Sequence, residues 1–136
     1  MLLAVLDTNT VVSALLFRGV TNILVSLWQN GKFIPVVSKE IVEEYLKVFA
    51  YPKFGLSDEE VKNLIEHQLL PFARPVIIKN IPKVVSEDPS DNAFLGCAHA
   101  GKCKYLVSGD HHLLDLKSYK GISIISAGTF LSKINH

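Results

Sequence analysis

The chain opens with the stretch Leu2-Leu3-Ala4-Val5-Leu6-Asp7-Thr8-Asn9, and this stretch decides the fold. Five consecutive apolar residues followed by a polar triplet indicate a strand that is buried on both faces and ends in a turn. In open α/β sheets, ligands bind at the edge where such strands end. Asp7 is expected at that edge, although capping of the next helix is by itself a sufficient explanation for a single aspartate there.

Further apolar stretches alternate with helical patterns along the rest of the sequence. Residues 33–37, 105–108 and 122–126 are predicted strands, and residues 38–49, 57–70 and 89–100 are predicted helices. Alternation of strands and helices is typical of a parallel sheet covered on both faces. We therefore expect an α/β fold with a central parallel sheet, in a single domain that spans residues 1–136.

The composition narrows the range of functions. Apolar residues make up 49% of the chain and charged residues 20%, as in an ordinary compact globule, and the net charge of +1 gives no global attraction to polyanions. The first apolar run is too short for a signal peptide or a membrane span, so a cytoplasmic protein without membrane association is expected. Cys97 and Cys103 are expected to be reduced, and Cys97 and His99 point about 200° apart on a helix, which argues against a shared zinc ion.

The helix predicted over residues 38–49 carries one acidic residue on its apolar face. Glu44 lies three residues after Ile41 and four before Val48, whereas Glu43 belongs to a solvent-facing charged row. A carboxylate on the buried face of a helix requires a structural or functional explanation. The alternative is a glutamate whose stem packs against the protein while its carboxylate reaches water.

Two more acids occupy comparable places. Asp91 stands at the third position of the helix expected after Asp88-Pro89, where it could satisfy a free amide, yet it also lies in line with Leu95 and Ala98 on the buried face. Asp110 follows the strand predicted over residues 105–108, and is thus a second acid at a strand end.

Four carboxylates that meet at one sheet edge would repel one another, so either some of them are protonated or a divalent cation lies among them. Hard oxygen ligands select Mg²⁺ or Mn²⁺, which can clamp phosphate oxygens and activate water for attack on phosphorus. The candidate catalytic and metal-binding residues are Asp7, Glu44, Asp91 and Asp110. Polar neighbours that could orient these carboxylates or bound water are Asn9, Asn92 and Ser108.

Two other segments carry groups that could contact a ligand. The loop Tyr51-Pro52-Lys53-Phe54-Gly55 combines two aromatic rings with a cation, and it is the best place in the sequence for stacking on bases, although half-buried loop aromatics are common. His111 and His112 could contact a phosphate or a metal, but adjacent histidines in a turn usually face solvent.

The chain resembles the PIN-domain family, in particular the VapC-type toxins. The segments that carry this resemblance are residues 6–9, residues 38–45, residues 88–92, and residues 107–110 followed by His112-Leu113-Leu114. The resemblance implies a three-layer α/β/α fold and a Mg²⁺- or Mn²⁺-dependent ribonuclease that cuts single-stranded RNA. It further implies that Asp7, Glu44, Asp91 and Asp110 hold the metal with Ser108 beside them. A small antitoxin partner and a homodimer are also expected on this basis.

Two other function classes compete with the nuclease. A PIN-like module that binds RNA or protein without turnover is suggested by the near-neutral charge. A phospho-accepting receiver domain would also place acids at strand ends, but it requires paired acids near the first strand and a lysine just after the last, and the sequence has neither.

Overall fold

The computed structural model of the protein describes residues 1–85 and 89–134. Six strands form one sheet in the order β3-β2-β1-β4-β6-β5. Their bounds are β1 Leu3–Leu6, β2 Ile34–Val37, β3 Arg74–Pro75, β4 Tyr105–Val107, β5 Ser118–Tyr119 and β6 Ile122–Ile125. The strands pair in parallel except β5 and β6, which form an antiparallel edge. The expected parallel α/β sheet is confirmed.

Seven α-helices connect and cover these strands. Their bounds are α1 Thr8–Leu16, α2 Ile23–Gln29, α3 Lys39–Phe49, α4 Asp58–Gln68, α5 Pro89–Ala100, α6 His111–Leu114 and α7 Ala127–Ile134. Among the described helices, none alone is long and apolar enough to cross a bilayer, and only α1 taken together with Val20–Gln29, bent by 89°, meets that test.

Helices pack against both faces of the sheet. On one face, the Phe33 ring contacts the Trp28 ring of α2 and the Phe130 ring of α7 edge-on, with centroid distances of 6.4 and 5.0 Å. On the other face, Tyr45 of α3 stacks on Phe94 of α5 with a centroid distance of 6.4 Å. Burial of these large rings supplies the main apolar driving force and gives the three layers.

Helix α5 lies unusually close to the sheet. A Cβ atom at Gly101, directly after the helix, would lie 2.7 Å from Cγ1 of Val36 in β2, and one at Gly96 would lie 3.0 Å from the Ile78 side chain. Real Cβ atoms essentially never lie as close as 2.7 Å to another heavy atom. The glycine at position 101 is therefore required for the observed approach of α5 to β2.

The order in which the chain adds strands to the sheet reverses beside β1. The chain passes from β1 outward to β2 and β3, and then returns to place β4 on the opposite side of β1. Register pairs Leu6 with Val107, so both strands end at the same level. In open α/β sheets this reversal opens a crevice at the carboxyl ends of the two central strands.

The β5–β6 edge differs from expectation. Ser118–Tyr119 and Ile122–Ile125 form a hairpin whose two turn residues, Lys120 and Gly121, have φ values of 47° and 83°. Positive φ at both positions is the geometry of a type I′ turn. The sequence signal was weak, because lysine replaces the asparagine or aspartate that normally marks such turns.

Candidate active site at the end of the central strands

Asp7 lies at the crevice between β1 and β4, and its side chain is only 4% exposed. Its Oδ1 accepts a hydrogen bond of 2.9 Å from the backbone N–H of Thr10, which caps α1. Its Oδ2 accepts a hydrogen bond of 2.6 Å from Ser108 Oγ and a longer one of 3.4 Å from the Gly109 N–H. The capping explanation is therefore correct for one carboxylate oxygen, while the other oxygen joins the end of β4.

Ser108 links the ends of the two central strands. Its side chain is completely buried, and its Oγ accepts a hydrogen bond of 2.9 Å from the Asp110 N–H while donating to Asp7. Asp110 in turn caps α6, because its Oδ1 accepts from the His112 N–H at 2.9 Å. One hydroxyl thus connects the Asp7 carboxylate to the backbone of Asp110.

Tyr45 ties helix α3 to the same strand end. Its hydroxyl donates to the carbonyl oxygen of Leu6, the residue before Asp7. Burial raises the pKa of the Tyr45 hydroxyl well above its usual value, and the negative charges that Cys97 and Asp7 can carry raise it further. The hydroxyl therefore stays protonated and serves as a fixed hydrogen-bond donor beside the site.

Glu44 and Asp91 lie on α3 and α5, the two helices that pack together through the rings of Tyr45 and Phe94. Glu44 precedes Tyr45 and is half-buried, whereas Glu43 is exposed and lies 4.0 Å from Lys39 across one turn of α3. Asp91 is 4% exposed and lies one turn before Phe94, whose ring stacks on Tyr45. The exposure of both glutamates matches the predicted assignment of the two faces of α3. Asp88, the expected cap of α5, lies outside the described residues.

The four acids are not gathered into one tight cluster. Among the described residues, the only group of three or more candidate metal ligands with all ligand atoms within 4.8 Å is Asp110, His111 and His112. Asp7 joins Asp110 through Ser108, and Glu44 and Asp91 belong to the surrounding helices. Like charges repel, so a closer grouping of these carboxylates requires a cation between them.

The predicted polar neighbours have different surroundings. Ser108 lies directly between Asp7 and Asp110, and Asn9 is exposed on the first turn of α1. The Asn92 side chain instead holds the segment before α5, because its Oδ1 accepts from the N–H groups of Val84 and Val85 and its Nδ2 donates to the Val85 carbonyl. A role for Asn92 toward the carboxylates stays a prediction.

The donor set fits a hard divalent cation. The four predicted acids offer carboxylate oxygens, whereas the compact group Asp110, His111 and His112 holds one carboxylate and two imidazoles. Asp7 receives three N–H or O–H donors where a carboxylate offers about four acceptor positions. The Thr8 hydroxyl beside Asp7 is buried, and no hydrogen bond reaches its Oγ1 from the described part of the chain. Buried polar atoms normally have partners, so the Thr8 hydroxyl is an exception to that rule beside the candidate site.

A comparison with known protein families shows which family this chain belongs to. Residues 4–112 match a family model described as a PIN domain, and the matched region includes all four predicted acids. The chain belongs to the PIN-domain family. No curated protein matches it significantly in sequence.

Solved structures share the PIN fold at low sequence identity. A chain in the crystal structure of VapBC2 from Rickettsia felis bound to a DNA fragment from their promoter superposes with a TM-score of 0.60 and 13% identity, over 90% of this chain and 97% of that one. A chain in the crystal structure of FitAcB from Neisseria gonorrhoeae superposes with a TM-score of 0.61 and 11% identity, over 92% of this chain and 98% of that one. These likenesses confirm the fold of the PIN domain.

Two features of the site were not predicted from the sequence. The role of Tyr45 as a donor to Leu6 had no local signal, because its spacing along α3 indicates only an ordinary core residue. The histidine pair faces solvent as expected, but its grouping with Asp110 was not predicted: the rings of His111 and His112 lie 4.1 Å apart beside that acid. A signal for the latter existed, since both histidines directly follow a strand-end acid.

Proposed function

We propose that this PIN domain is a Mg²⁺- or Mn²⁺-dependent endoribonuclease that cleaves single-stranded RNA, and that it acts as the toxin of a toxin–antitoxin pair. Asp7, Glu44, Asp91 and Asp110 are the residues that would hold the metal. The observation that carries the proposal is the pair of hydrogen bonds through Ser108, which connect Asp7 to Asp110. Both acids follow the central strands β1 and β4, where the strand order reverses. Membership of the PIN-domain family supports the same chemistry.

The protein's own groups would prepare the site for a phosphodiester. Ser108 and the Thr10 N–H fix the orientation of the Asp7 carboxylate, so its free acceptor positions face a constant direction. The Tyr45 hydroxyl holds the Leu6 carbonyl in place and prevents movement of the strand end. A bound Mg²⁺ or Mn²⁺ supplies Lewis-acid stabilisation of phosphate oxygens and activation of water.

Cleavage of a fluorescently labelled single-stranded RNA tests the enzymatic part of the proposal. Activity should require Mg²⁺ or Mn²⁺, stop with a chelator, and fall by at least about 100-fold in Asp7→Asn, because loss of one charged ligand removes much of the electrostatic stabilisation. Asp115→Asn is the matched control, since Asp115 is exposed at the end of α6. Cleavage that persists unchanged in Asp7→Asn rules out this mechanism.

The toxin role and the partners need separate measurements. Induced expression of the wild-type chain should arrest growth, whereas expression of Asp7→Asn should not. Co-expression with the product of a short neighbouring reading frame should relieve the arrest, and sedimentation should show a homodimer. Normal growth on expression of an active ribonuclease excludes the toxin role and leaves the chemistry untouched.

A second candidate is an RNA- or protein-binding module without turnover. The near-neutral charge and the separation of the four acids favour it. Calorimetry discriminates the two, because a nuclease site binds Mn²⁺ and loses that binding in Asp7→Asn. RNA association with no Mn²⁺ binding at millimolar metal supports the binding module.

A further inference from the structure

A groove lies along one face of α1, the helix that begins directly after Asp7. Asn9, Val12 and Leu16 lie on this face of the helix, and Phe17, Lys53 and Phe54 form the far end. We call this surface the Phe17 groove. It has a volume of about 680 Å³, within the range of roughly 300–1,000 Å³ that is typical of ligand sites.

We propose that the Phe17 groove is a nucleobase-stacking subsite for the single-stranded RNA substrate. This inference rests on the proposed ribonuclease function and names a surface that would bind the strand next to the reacting phosphate. The groove begins at Asn9, two residues after Asp7, and Asn9 and Leu16 are separated by about 10 Å along the helix axis. A strand held in the crevice therefore reaches the aromatic end within a few nucleotides.

The aromatic end offers an accessible ring. Phe17 is 53% exposed, although it is a large apolar side chain that a helix end would normally cover. Its ring lies 6.3 Å from the Phe54 ring at an interplanar angle of 56°, so the two rings do not stack on each other. The Phe17 ring is therefore the accessible one, since Phe54 packs partly against the core and carries the Lys53 ammonium over its ring. Base stacking on open aromatic faces is the usual way in which proteins hold single strands.

The charge of the groove complements a phosphate backbone. Lys53 is the only charged residue among those that line it, and its Nζ lies 5.1 Å from the Phe54 ring centroid. Arg18, one of only two arginines in the chain, is exposed directly after Phe17. A cation beside stacking rings binds the phosphate that joins the stacked bases. An RNA strand is therefore a better fit than an acidic or purely apolar ligand.

Fluorescence anisotropy with a labelled oligouridylate tests the proposal. Binding is measured in the Asp7→Asn background with chelator present, so the result does not depend on metal loading or cleavage. Phe17→Leu should weaken binding by about 5-fold or more, because leucine keeps the apolar contact and loses the stacking face. Lys53→Ala should lower the slope of log K against log salt by about 0.7.

Two controls separate stacking from general effects. Lys133→Ala removes an exposed lysine from α7 and should leave binding unchanged. An abasic ribo-oligomer of the same length should bind Phe17→Leu and the parent protein equally, because it has no bases to stack. Equal loss with the abasic strand, or no loss with oligouridylate, overturns the proposal.

The same variants distinguish RNA from a protein as the molecule that covers the Phe17 groove. If the Phe17 groove is covered by a second copy of this chain or by another protein, Phe17→Leu alters the sedimentation coefficient or the complex and leaves RNA affinity intact. That outcome overturns the stacking subsite. Metal binding and cleavage by the wild-type protein, measured in a separate assay, show whether the proposed ribonuclease itself stands.

Discussion

Replacement of Ser108 by alanine should weaken both the fold and the metal site. The Ser108 hydroxyl is completely buried, donates to a carboxylate at 2.6 Å, and accepts from the Asp110 N–H at 2.9 Å. A hydrogen bond to a charged group contributes about 1.5–3 kcal/mol, and the variant also leaves a backbone N–H without its acceptor. We expect the free energy of unfolding to fall by about 2–3 kcal/mol.

Urea denaturation of Ser108→Ala with chelator present measures this loss, and Ser123→Ala provides a matched control. Ser123 is a half-buried serine on the neighbouring strand β6, so its replacement should change stability by less than about 1 kcal/mol. Because Ser108 positions Asp7, the affinity for Mn²⁺ should also fall by about 10–100-fold in calorimetry.

A double-mutant cycle with Asp7→Asn shows whether the loss arises from this hydrogen bond. In the Asp7→Asn background, Ser108→Ala should destabilise the protein by about 1–2 kcal/mol less, because the charged acceptor is already gone. Equal losses in both backgrounds, or a loss no larger than that of Ser123→Ala, would refute the bridge as the element that holds the two strand ends together.

Three more outcomes follow from buried polar groups. Asn92→Ala should reduce stability by about 2–3 kcal/mol and accelerate amide exchange in the segment before α5, because three hydrogen bonds to that segment are lost; unchanged exchange would contradict this. Tyr45→Phe should lower the free energy of unfolding by about 1–2 kcal/mol in urea, since the Leu6 carbonyl loses a buried donor, and wild-type stability would show that the contact contributes nothing. Burial raises the pKa values of Cys97 and Cys103 from 9.0 to about 12. The two buried thiols therefore contribute fully to stability below pH 9, and this contribution is lost as the pH rises from 9 to 12, by about 1 kcal/mol per thiol near pH 10. Cys97→Ala should make the free energy of unfolding fall less steeply over this range in pH-dependent denaturation. An equally steep fall in Cys97→Ala would refute the role of the Cys97 thiol.

Local chemistry made much of the fold predictable. The apolar run before Asp7 has no polar interruption, so a strand buried on both faces was the natural interpretation. The helix predicted from residue 57 begins with a capping box, in which Ser57 Oγ accepts from the Glu60 N–H at 3.1 Å and Glu60 Oε1 accepts from the Ser57 N–H at 2.9 Å. The contact with Ser57 also lowers the pKa of Glu60. Both features depend on residues within a few positions of one another.

Features that depend on distant residues were harder to predict. The apolar run from Val11 to Phe17 predicts a helix that begins at Val11, but α1 begins three residues earlier, at Thr8, because Asp7 caps it while also bonding to Ser108. The antiparallel β5 consists of only two residues, and tertiary pairing rather than propensity defines so short a strand.

In the candidate site, too, features set by neighbouring residues could be predicted and features set by distant residues could not. The angular position of Glu44 and the strand-end positions of Asp7 and Asp110 could be read from periodicity alone. The bridge through Ser108 joins residues 101 positions apart, and the Tyr45 contact with Leu6 joins residues 39 apart. No local pattern encodes such a distance, so periodicity indicated which acids share an edge and not how they are held.

The absence of a side chain at Gly101 sets the distance between α5 and β2. The helix is nearly rigid over its 12 residues, so it acts as a lever with Gly101 at one end and Asp91 in the first turn of the other. A methyl group at Gly101 would push α5 or Val36 out of place, and a tilt of the helix would carry through to Asp91, which lies about 15 Å farther along its axis. The position of Asp91 is thus exposed to a change at a residue that lies far from it.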